Sequence, residues 1–489
     1  MRKSLLSGAV VLFVFAFGIY VALNLGRELQ PLPAAATHGF TLTNASPVAV
    51  EVGPAPSLWA NLRENLHDPL GRLLMQLILV VSATRVCGRL ARRVGQPAVI
   101  GEMLAGIILG PSLLGWIWPG AFHFLFPAPS LVTLRLLSRI GVCLFLFVVG
   151  MELDLGQLKQ RAHAAVVVSQ VSILCPFFLG VAVSLALFPG LAGARTTFLA
   201  FALFLGISMS ITAFPVLARI LDERALTRTS LGALAVACAA ANDITAWCLL
   251  AFVVAIAKSS GLAAAVLSLG LLVLFVVTMV GWIKPRLPRW IAGVCDAVST
   301  PSPGAMGAVL VFLLASALAT DLMGIHALFG AFLAGVVMPA HGEFRDYLKV
   351  RLEHFSSVFL LPLFFAFIGL RTQIGLLTDP GSLLVCAELI LVATLGKLGA
   401  TTVTARLSGV GWIDAFALGA MMNTRGLVEL IALNIGYDLG ILSPQIFAML
   451  VVMALVTTCL TGPLLALAEA LRARRALAVS TAQPRHGRA

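Results

Sequence analysis

Asn242 and Asp243 interrupt an apolar run between residues 231 and 251. A charge at the centre of a membrane helix costs roughly 2.5 to 3.5 kcal/mol on insertion scales, so such a residue usually faces a cavity or a partner. Removal from water favours the protonated form of a carboxylate, whereas a nearby cation favours the charged form. A proton and a cation would therefore compete for Asp243, and competition at one site gives exchange. The alternative is a buried ion pair that only orients helices.

Lys397, Arg425 and Glu429 also interrupt apolar segments. Lys397 needs an anion or a cavity at membrane depth, and Asp243 is the candidate partner, directly or through Asn242. Arg425 and Glu429 are four residues apart, and this spacing predicts an ion pair on one face of a helix. That pair would serve either the site or the structure alone.

Two segments predict helices that break within the membrane. Pro215 removes a backbone donor inside the apolar segment 196–221, close to Thr212. The polar sequence from Asn423 to Gly426 occupies the matching place in the second half of the chain. Unwound backbone at this depth is tolerated where it lines a cavity or is buried in protein, and its freed carbonyls can bind ions. A plain proline kink in a packing helix is the alternative.

The composition predicts an all-α polytopic membrane protein. Of the 489 residues, 60% are hydrophobic and 11% are charged, whereas soluble proteins carry about 25% charged residues. The net charge of +12 lies mainly in alternate loops, which fits the positive-inside rule and argues against a nucleic-acid partner. The eight cysteines are scattered singly, without metal-ligand spacing. We therefore expect no cofactor, and no metal beyond a transported monovalent cation.

Apolar segments of about 20 residues are long enough to cross a bilayer. Residues 1–23 contain one such segment, which favours a signal anchor over a cleaved signal peptide. A polar external segment, 24–68, follows. The thirteen later predicted spans are 69–88, 96–116, 131–151, 163–188, 196–221, 229–257, 261–283, 303–320, 323–340, 354–370, 382–406, 411–436 and 444–470.

The loops rich in Lys and Arg alternate with loops that hold isolated cations such as Arg195, Lys258 and Arg371. The positive-inside rule places the cation-rich loops in the cytoplasm and so orients every span. We expect a multi-pass protein of the cytoplasmic (inner) or plasma membrane, with a short cytoplasmic tail at 471–489.

Three pairs of segments resemble each other along the chain. The pairs are Gly101–Pro111 with Gly330–Pro339, Phe145–Gly150 with Phe364–Gly369, and Thr212–Pro215 with Asn423–Gly426. In the predicted topology the two members of each pair cross in opposite directions, which indicates the inverted repeat of many secondary transporters. Chance recurrence of Gly, Ala and Phe is the alternative.

Several long motifs follow in order along the chain. They are GEMLAG at 101–106, LGPSLLG at 109–115, GISMSITAFPVLAR at 206–219, ANDI at 241–244, LPLFF at 361–365 and MNTRGL at 422–427. Together they resemble the monovalent cation:proton antiporter-2 family, which includes bacterial sodium/proton and potassium/proton antiporters and plant cation/proton exchangers. The resemblance covers about 69–470 and looks closest to the plant-exchanger branch.

The resemblance implies a homodimer of thirteen-helix protomers, each with inverted repeats and two crossed discontinuous helices. It implies a core at about 163–257 and 382–470. This core would move against a dimerisation part at about 69–151 and 261–370. The extra N-terminal span and the segment 24–68 lie outside the family pattern. Several relatives carry a large cytoplasmic C-terminal domain, whereas this sequence ends soon after its last span, so nucleotide-gated regulation in cis is not expected.

The resemblance also implies roles for four residues. Asp243 matches the carboxylate that binds the ion and the proton, Thr212 lies at the helix crossing, and Lys397 is the core lysine. Asn242 occupies a position that is Asp in electrogenic members. Asn at this position favours electroneutral exchange, whereas Lys397 weakens that inference because it partners the missing Asp in electrogenic members.

We therefore expect a secondary active transporter that exchanges potassium or sodium for protons by alternating access. The alternatives are a sodium-coupled organic-anion carrier of similar fold and a non-transporting sensor. An intramembrane aspartyl protease would need two catalytic Asp residues, one of them in a Gly-x-Gly-Asp motif. The sequence lacks this motif, so we do not expect an enzyme.

Overall fold

The computed structural model describes residues 68–152, 162–192, 196–226, 229–258, 262–294, 303–324, 326–339 and 343–482. These residues are almost entirely helical, and an isolated β-bridge joins Ala192 to Leu442. The predicted N-terminal segment 1–23 and residues 24–67 of the external segment lie outside the described residues.

The described residues up to Lys258 form the helices of the first half. They are α1 (Pro69–Arg93), α2 (Ala98–Leu109), α3 (Leu114–Ile117), α4 (Pro119–Leu125), α5 (Ala128–Glu152), α6 (Ala162–Leu191), α7 (Phe198–Ser210), α8 (Phe214–Glu223) and α9 (Ser230–Lys258).

The second half continues with helices of the same character. They are α10 (Leu262–Val277), α11 (Lys284–Val294), α12 (Pro303–Leu322), α13 (Ala327–Val336), α14 (Glu343–Phe355), α15 (Leu361–Arg371), α16 (Pro380–Thr394), α17 (Ala400–Leu407), α18 (Trp412–Met422), α19 (Leu427–Asp438) and α20 (Pro444–Ala482). A π-helical turn, Leu395–Gly399, joins α16 to α17 and carries Lys397. Such turns are rare and occur often at functional sites.

Within the described residues, eleven helices are long and apolar enough to cross a membrane. Phe198–Ser210 and Ala327–Val336 are shorter apolar helices. Together these helices overlap the predicted spans from residue 69 onward, because long apolar segments leave the backbone no partner but itself inside a bilayer.

Two predicted loops, 284–302 and 341–353, are helical over much of their length, as α11 and α14. The expectation of loops was wrong here. In α14 the charged residues surround Leu348 and Leu352, which are four apart and buried. A single apolar stripe of this kind is enough to hold a polar helix against the protein. The last helix, α20, also continues past the predicted end at residue 470.

Several pairs of helices touch backbone to backbone at glycines, and two of these contacts join α2 to α15 and α13 to α5. A Cβ atom at Gly106 in α2 would collide with the carbonyl oxygen of Ala366 in α15. A Cβ atom at Gly335 in α13 would collide in the same way with the carbonyl oxygen of Phe147 in α5. Only glycine permits such an approach between membrane helices.

The two interrupted helices are held by their neighbours. α7 packs against α6 and α9, and α18 packs against α9, α17 and α20. Helix α9 therefore lies beside both interruptions, and it carries Asn242 and Asp243.

Candidate functional site

The first interruption spans three residues. α7 ends at Ser210 and α8 begins at Phe214, with Pro215 as its second residue. The backbone at Ile211 is extended, with φ −72° and ψ 138°. A proline suits the first turn of a helix because the N–H groups there have no intrahelical acceptor. The chain is thus unwound just before Pro215.

The second interruption lies between Met422, the last residue of α18, and Leu427, the first residue of α19. A Cβ atom at Gly426 would lie 2.8 Å from Cγ2 of Val216 and 3.3 Å from Cβ of Ala213. Gly426 therefore lets the first turn of α8 pass close to the second interruption.

Thr212 connects the two interruptions directly. Its hydroxyl group donates a hydrogen bond to the carbonyl oxygen of Met422 at 2.9 Å. The following N–H, that of Ala213, donates to the carbonyl oxygen of Thr424 at 3.0 Å. The two unwound segments therefore meet at Thr212, where their backbone groups satisfy each other.

The carboxamide of Asn242 links α9 to two other elements. Its Oδ1 accepts a hydrogen bond from the N–H of Thr212 at 3.1 Å, and its Nδ2 donates to Oγ of Ser172 at 3.2 Å. Ser172 in turn donates to the carbonyl oxygen of Ser169 at 2.8 Å. A backbone N–H can only donate, so this network determines which amide atom is the oxygen. Asn242 thus fastens the first interruption to α6.

Two cationic side chains donate hydrogen bonds to the carbonyl groups at the C-terminal end of α7. Arg425 donates from Nη1 to the carbonyl oxygen of Ser208 and from Nη2 to that of Met209, each at 2.6 Å. Lys397 donates to the carbonyl oxygen of Ser210. The last carbonyls of a helix lack intrahelical partners and carry the negative end of its dipole. These three bonds satisfy them inside the protein.

Lys397 and Asp243 form no direct ion pair in the described structure, whereas the charge of Lys397 acts on the carboxylate from a longer distance. The ammonium group serves Ser210 instead, because an unpaired carbonyl at this depth also needs a donor. Arg425 and Glu429 do form an ion pair, with 3.4 Å between Nη1 and Oε1, and both side chains are fully buried. Their spacing of four residues on α19 and the preceding turn brings them together, as the sequence predicts.

Asp243 lies fully inside the protein, with 1% of its surface exposed. Neither carboxylate oxygen has hydrogen-bonding geometry with a described donor. The backbone N–H of Phe214, at the positive end of α8, and the charge of Lys397 are the groups that stabilise negative charge on it. The carboxylate is therefore available to bind a proton or a cation.

Four ionisable side chains form the buried centre, and at full ionisation their charges cancel. Asp243 and Glu429 are acidic, and Lys397 and Arg425 are basic. Among the described residues, no group of three or more His, Cys, Asp and Glu could hold a metal ion. The remaining predicted residue, Asn423, is fully buried beside this centre in the second interruption.

The sequence did not single out two hydroxyl residues that support the site. Ser172 accepts the hydrogen bond from Asn242, and Oγ of Thr458 lies 3.1 Å from N and 2.9 Å from O of Arg425. Hydroxyl side chains in helices commonly bond their own backbone. Their type and spacing therefore carry little information about such long-range partners.

The apolar helices, the two interruptions that meet in the interior and the buried carboxylate beside them define a multi-pass membrane protein with the architecture of a secondary transporter. Comparison with known proteins narrows this class. The chain belongs to the sodium/hydrogen exchanger family: the family model described as "Sodium/hydrogen exchanger, transmembrane" matches residues 78–468.

Named relatives include antiporters for two different cations. The Na(+)/H(+) antiporter NhaS4 of Synechocystis sp. is 42% identical over 393 residues, which cover 80% of this chain and 96% of that protein. Cation/H(+) antiporter 19 of Arabidopsis thaliana is 39% identical, over 82% of this chain and 50% of that protein. K(+)/H(+) antiporter 1 of Saccharomyces cerevisiae is 33% identical, over 82% of this chain and 46% of that protein. The chain thus spans about half the length of the plant and yeast relatives.

A solved structure shares the fold. The sodium proton antiporter MjNhaP1 from Methanocaldococcus jannaschii superposes with a TM-score of 0.58 at 15% sequence identity. The match covers 81% of this chain and 96% of that one. The two proteins therefore share the same helical fold.

Proposed function

We propose that this protein exchanges a monovalent cation, potassium or sodium, for protons by alternating access at Asp243. The observation that carries the proposal is the state of that carboxylate. It is 1% exposed, accepts no hydrogen bond from a described donor and lies beside two unwound segments. A buried carboxylate that lacks a well-formed hydrogen bond or a direct ion pair is costly unless it is protonated or bound to a cation. Proton and cation therefore compete for it.

The charge balance of the centre supports electroneutral exchange. Lys397 and Arg425 offset Asp243 and Glu429. Asp243 binds either one proton or one monovalent cation, and each adds one positive charge, so the two loaded forms have the same total charge. Asn242 adds no second carboxylate, and both polar atoms of its side chain are already hydrogen-bonded. The two loaded forms then cross the membrane with equal charge, and the membrane potential favours neither.

The helix packing supports a thirteen-span inverted repeat in 69–470. Segment 101–111 repeats as 330–339, and segment 145–150 repeats as 364–369. The contact of Gly106 with Ala366 joins 101–111 to 364–369, and the contact of Gly335 with Phe147 joins 330–339 to 145–150. A pseudo-two-fold relation between the halves would produce this reciprocal arrangement.

We further propose a core at about 163–257 and 382–470 that moves against a dimerisation part at about 69–151 and 261–370. The cation-rich loops lie in the cytoplasm, and so does the tail. The protein acts as a homodimer in the cytoplasmic or plasma membrane, with H+ and K+ or Na+ as its transported partners. Residues 1–23 anchor the chain.

The relatives' names support this reading of the substrate. NhaS4 is named a Na(+)/H(+) antiporter and the yeast relative a K(+)/H(+) antiporter, so either cation fits. The comparisons give no support to a sodium-coupled organic-anion carrier or to a non-transporting sensor.

The test is proton flux in proteoliposomes on addition of potassium or sodium, with the membrane potential clamped and then unclamped. Wild-type protein and Asp243→Asn are compared. We expect cation-dependent flux that is insensitive to potential and that Asp243→Asn abolishes. The cation that elicits the flux identifies the substrate.

Asp414→Asn is the matched control, because Asp414 is half exposed and pairs with Arg472 at 2.5 Å. It should keep its flux. Flux that changes with the membrane potential would still support cation/proton exchange but would show that the exchange is not electroneutral. Wild-type protein that carries no flux with either cation would overturn the proposed function.

A further inference from the structure

Asp438, the last residue of α19, holds a cluster of arginines that the sequence did not single out. Its Oδ1 lies 2.6 Å from Nη2 of Arg371, and its Oδ2 lies 2.6 Å from Nη2 of Arg139. Arg135, one turn from Arg139 on α5, approaches Oδ1 to 3.8 Å. One carboxylate therefore joins three helices, because Arg371 ends α15.

Arg371 is enclosed by the last turn of α19. It donates to Oδ1 of Asn434, and its guanidinium lies 4.4 Å from the centre of the Tyr437 ring. The side chains of Arg371 and Asp438 are each only 16% exposed. Charge-assisted hydrogen bonds in such surroundings are stronger than those of an exposed surface pair.

The cluster bridges the two proposed moving parts. Arg139 lies on α5 and Arg371 ends α15, both helices of the dimerisation part, whereas Asn434, Tyr437 and Asp438 belong to the core. Every contact in the cluster between these two groups must break if the core moves away at this end of the protein.

The other end of the same helices borders a cavity of about 350 Å³. Phe145 of α5, Phe365 of α15, and Val216 and Leu427 of the core line it. Leu427 and Asp438 are the two ends of α19, about 16 Å apart along the helix axis. The two parts are thus separated at the cavity end and joined at the Asp438 end.

We propose that Asp438, Arg371 and Arg139 are positioning residues that close the external access to Asp243, and we call these three residues the lock. This inference rests on the proposed function and orientation. Alternating access requires contacts that exist in one state and are lost in the other. The lock stabilises the form open to the cytoplasm, and its loss shifts the population toward the form open to the outside.

The first test measures the apparent KM for the transported cation from each side of oriented proteoliposomes. When a binding-competent state becomes more populated, its apparent affinity rises by the same factor. Asp438→Asn should therefore lower the external KM and raise the internal KM. One charge-assisted hydrogen bond commonly changes an equilibrium by about tenfold, so the ratio of the internal KM to the external KM should rise by about tenfold. Asp438→Glu should restore much of the wild-type asymmetry.

Asp414→Asn is the control, because Asp414 and Arg472 form an Asp–Arg pair that joins the core helix α18 to α20 and does not reach the dimerisation part. It should leave both KM values unchanged. Arg139→Gln retains the Arg371–Asp438 pair and should therefore give a smaller shift of the two KM values in the same opposite directions. If Asp438→Asn fails to fold, Arg139→Gln takes its place in the test. A fall in maximal rate alone, or KM changes of the same sign on both sides, would overturn the lock.

A second measurement does not depend on the transported ion. A cysteine introduced as Val216→Cys, in a background without native cysteines, reports access through the cavity to a membrane-impermeant maleimide. Adding Asp438→Asn should slow labelling from the cytoplasmic side several-fold. Unchanged labelling would refute the lock even if the protein carries neither sodium nor potassium, so the two proposals can fail separately.

Discussion

The backbone N–H of Thr212 donates to Oδ1 of Asn242 at 3.1 Å, so the residue next to Asp243 fastens the unwound segment of the first interrupted helix. The same carboxamide donates to Ser172 on α6. Asn242 therefore stabilises the buried centre, because both polar atoms of its side chain are hydrogen-bonded to other residues.

Asn242→Ala should destabilise the protein more than Ser172→Ala. The first change leaves the Thr212 N–H without its acceptor and Ser172 without its donor, and each buried unsatisfied group costs about 1–3 kcal/mol. The second change leaves the Asn242 Nδ2 without its acceptor and removes the hydroxyl donor of the Ser169 carbonyl oxygen, which lies within helix α6. Thermal unfolding of purified protein would measure both. Because the residues share one network, the double variant should be little worse than Asn242→Ala; additive losses would contradict the network.

Glu429→Gln should weaken apparent cation affinity, on the order of tenfold. It removes a buried negative charge 3.4 Å from Arg425 and leaves the centre more positive. A single charge in a protein interior changes a neighbouring ion equilibrium by about 1 kcal/mol or more. The cation dependence of proton flux measures the effect.

Glu469→Gln is the matched control for this change. Glu469 approaches Arg224 to 3.5 Å, nearly the same distance, but its side chain is 47% exposed. Exposed pairs contribute about 0–1 kcal/mol, so the KM should not change. Equal effects of the two substitutions would show that the charge at residue 429 does not act on the ion.

Gly426→Ala should push the two interruptions apart. The added methyl group would meet Cγ2 of Val216 at 2.8 Å, and overpacking of this kind costs about 1–3 kcal/mol. We expect lower thermal stability and slower exchange. Val216→Ala in the same chain should restore both, because it removes the obstructing atoms.

Gly307→Ala is the control for that substitution, since nothing lies within 4 Å of a Cβ atom at Gly307. Alanine favours a helix over glycine, so this variant should be at least as stable as wild type. If Val216→Ala fails to restore stability and exchange, contact with Val216 is not the cause of the effect of Gly426→Ala.

Asp379 caps the start of α16 and should give the protein an acid-dependent component of stability. Its carboxylate accepts a hydrogen bond from the N–H of Ser382 at 2.7 Å, and the bonds from Ser382 hold the pKa of Asp379 below its usual value. A depressed pKa in the folded state stabilises the protein above the usual carboxyl pKa. That contribution is lost as the pH falls through the folded value.

The thermal midpoints of wild type and Asp379→Ala, measured from neutral to acidic pH, check this prediction. Wild type should be more stable at neutral pH, and the difference should shrink in acid. Asp379→Asn keeps a capping side chain that does not titrate in this range, so it should lack the pH-dependent part. A difference that stays constant with pH would contradict the prediction.

The sequence was sufficient to locate the apolar helices from residue 69 onward and both interruptions. Apolar runs of membrane length must satisfy their own backbone, and Pro215 and Gly426 mark the places where this pattern stops. The same reasoning mistook α11 and α14 for loops, because their charged residues conceal a narrow buried stripe. It also passed over Asp438, since an aspartate at the end of a span has no unusual cost in isolation.

The sequence by itself determined which side chains must find partners: Asp243, Lys397, Arg425 and Glu429 are too costly to leave in an apolar span. Only the tertiary structure decided which partners they find. Lys397 and Arg425 bond the last carbonyls of α7, nearly two hundred residues or more away in the chain, and Arg371 and Arg139 converge on Asp438. Desolvation depends on residue type and can be read along a chain, whereas a hydrogen bond depends on distance and direction, which exist only once the helices have packed.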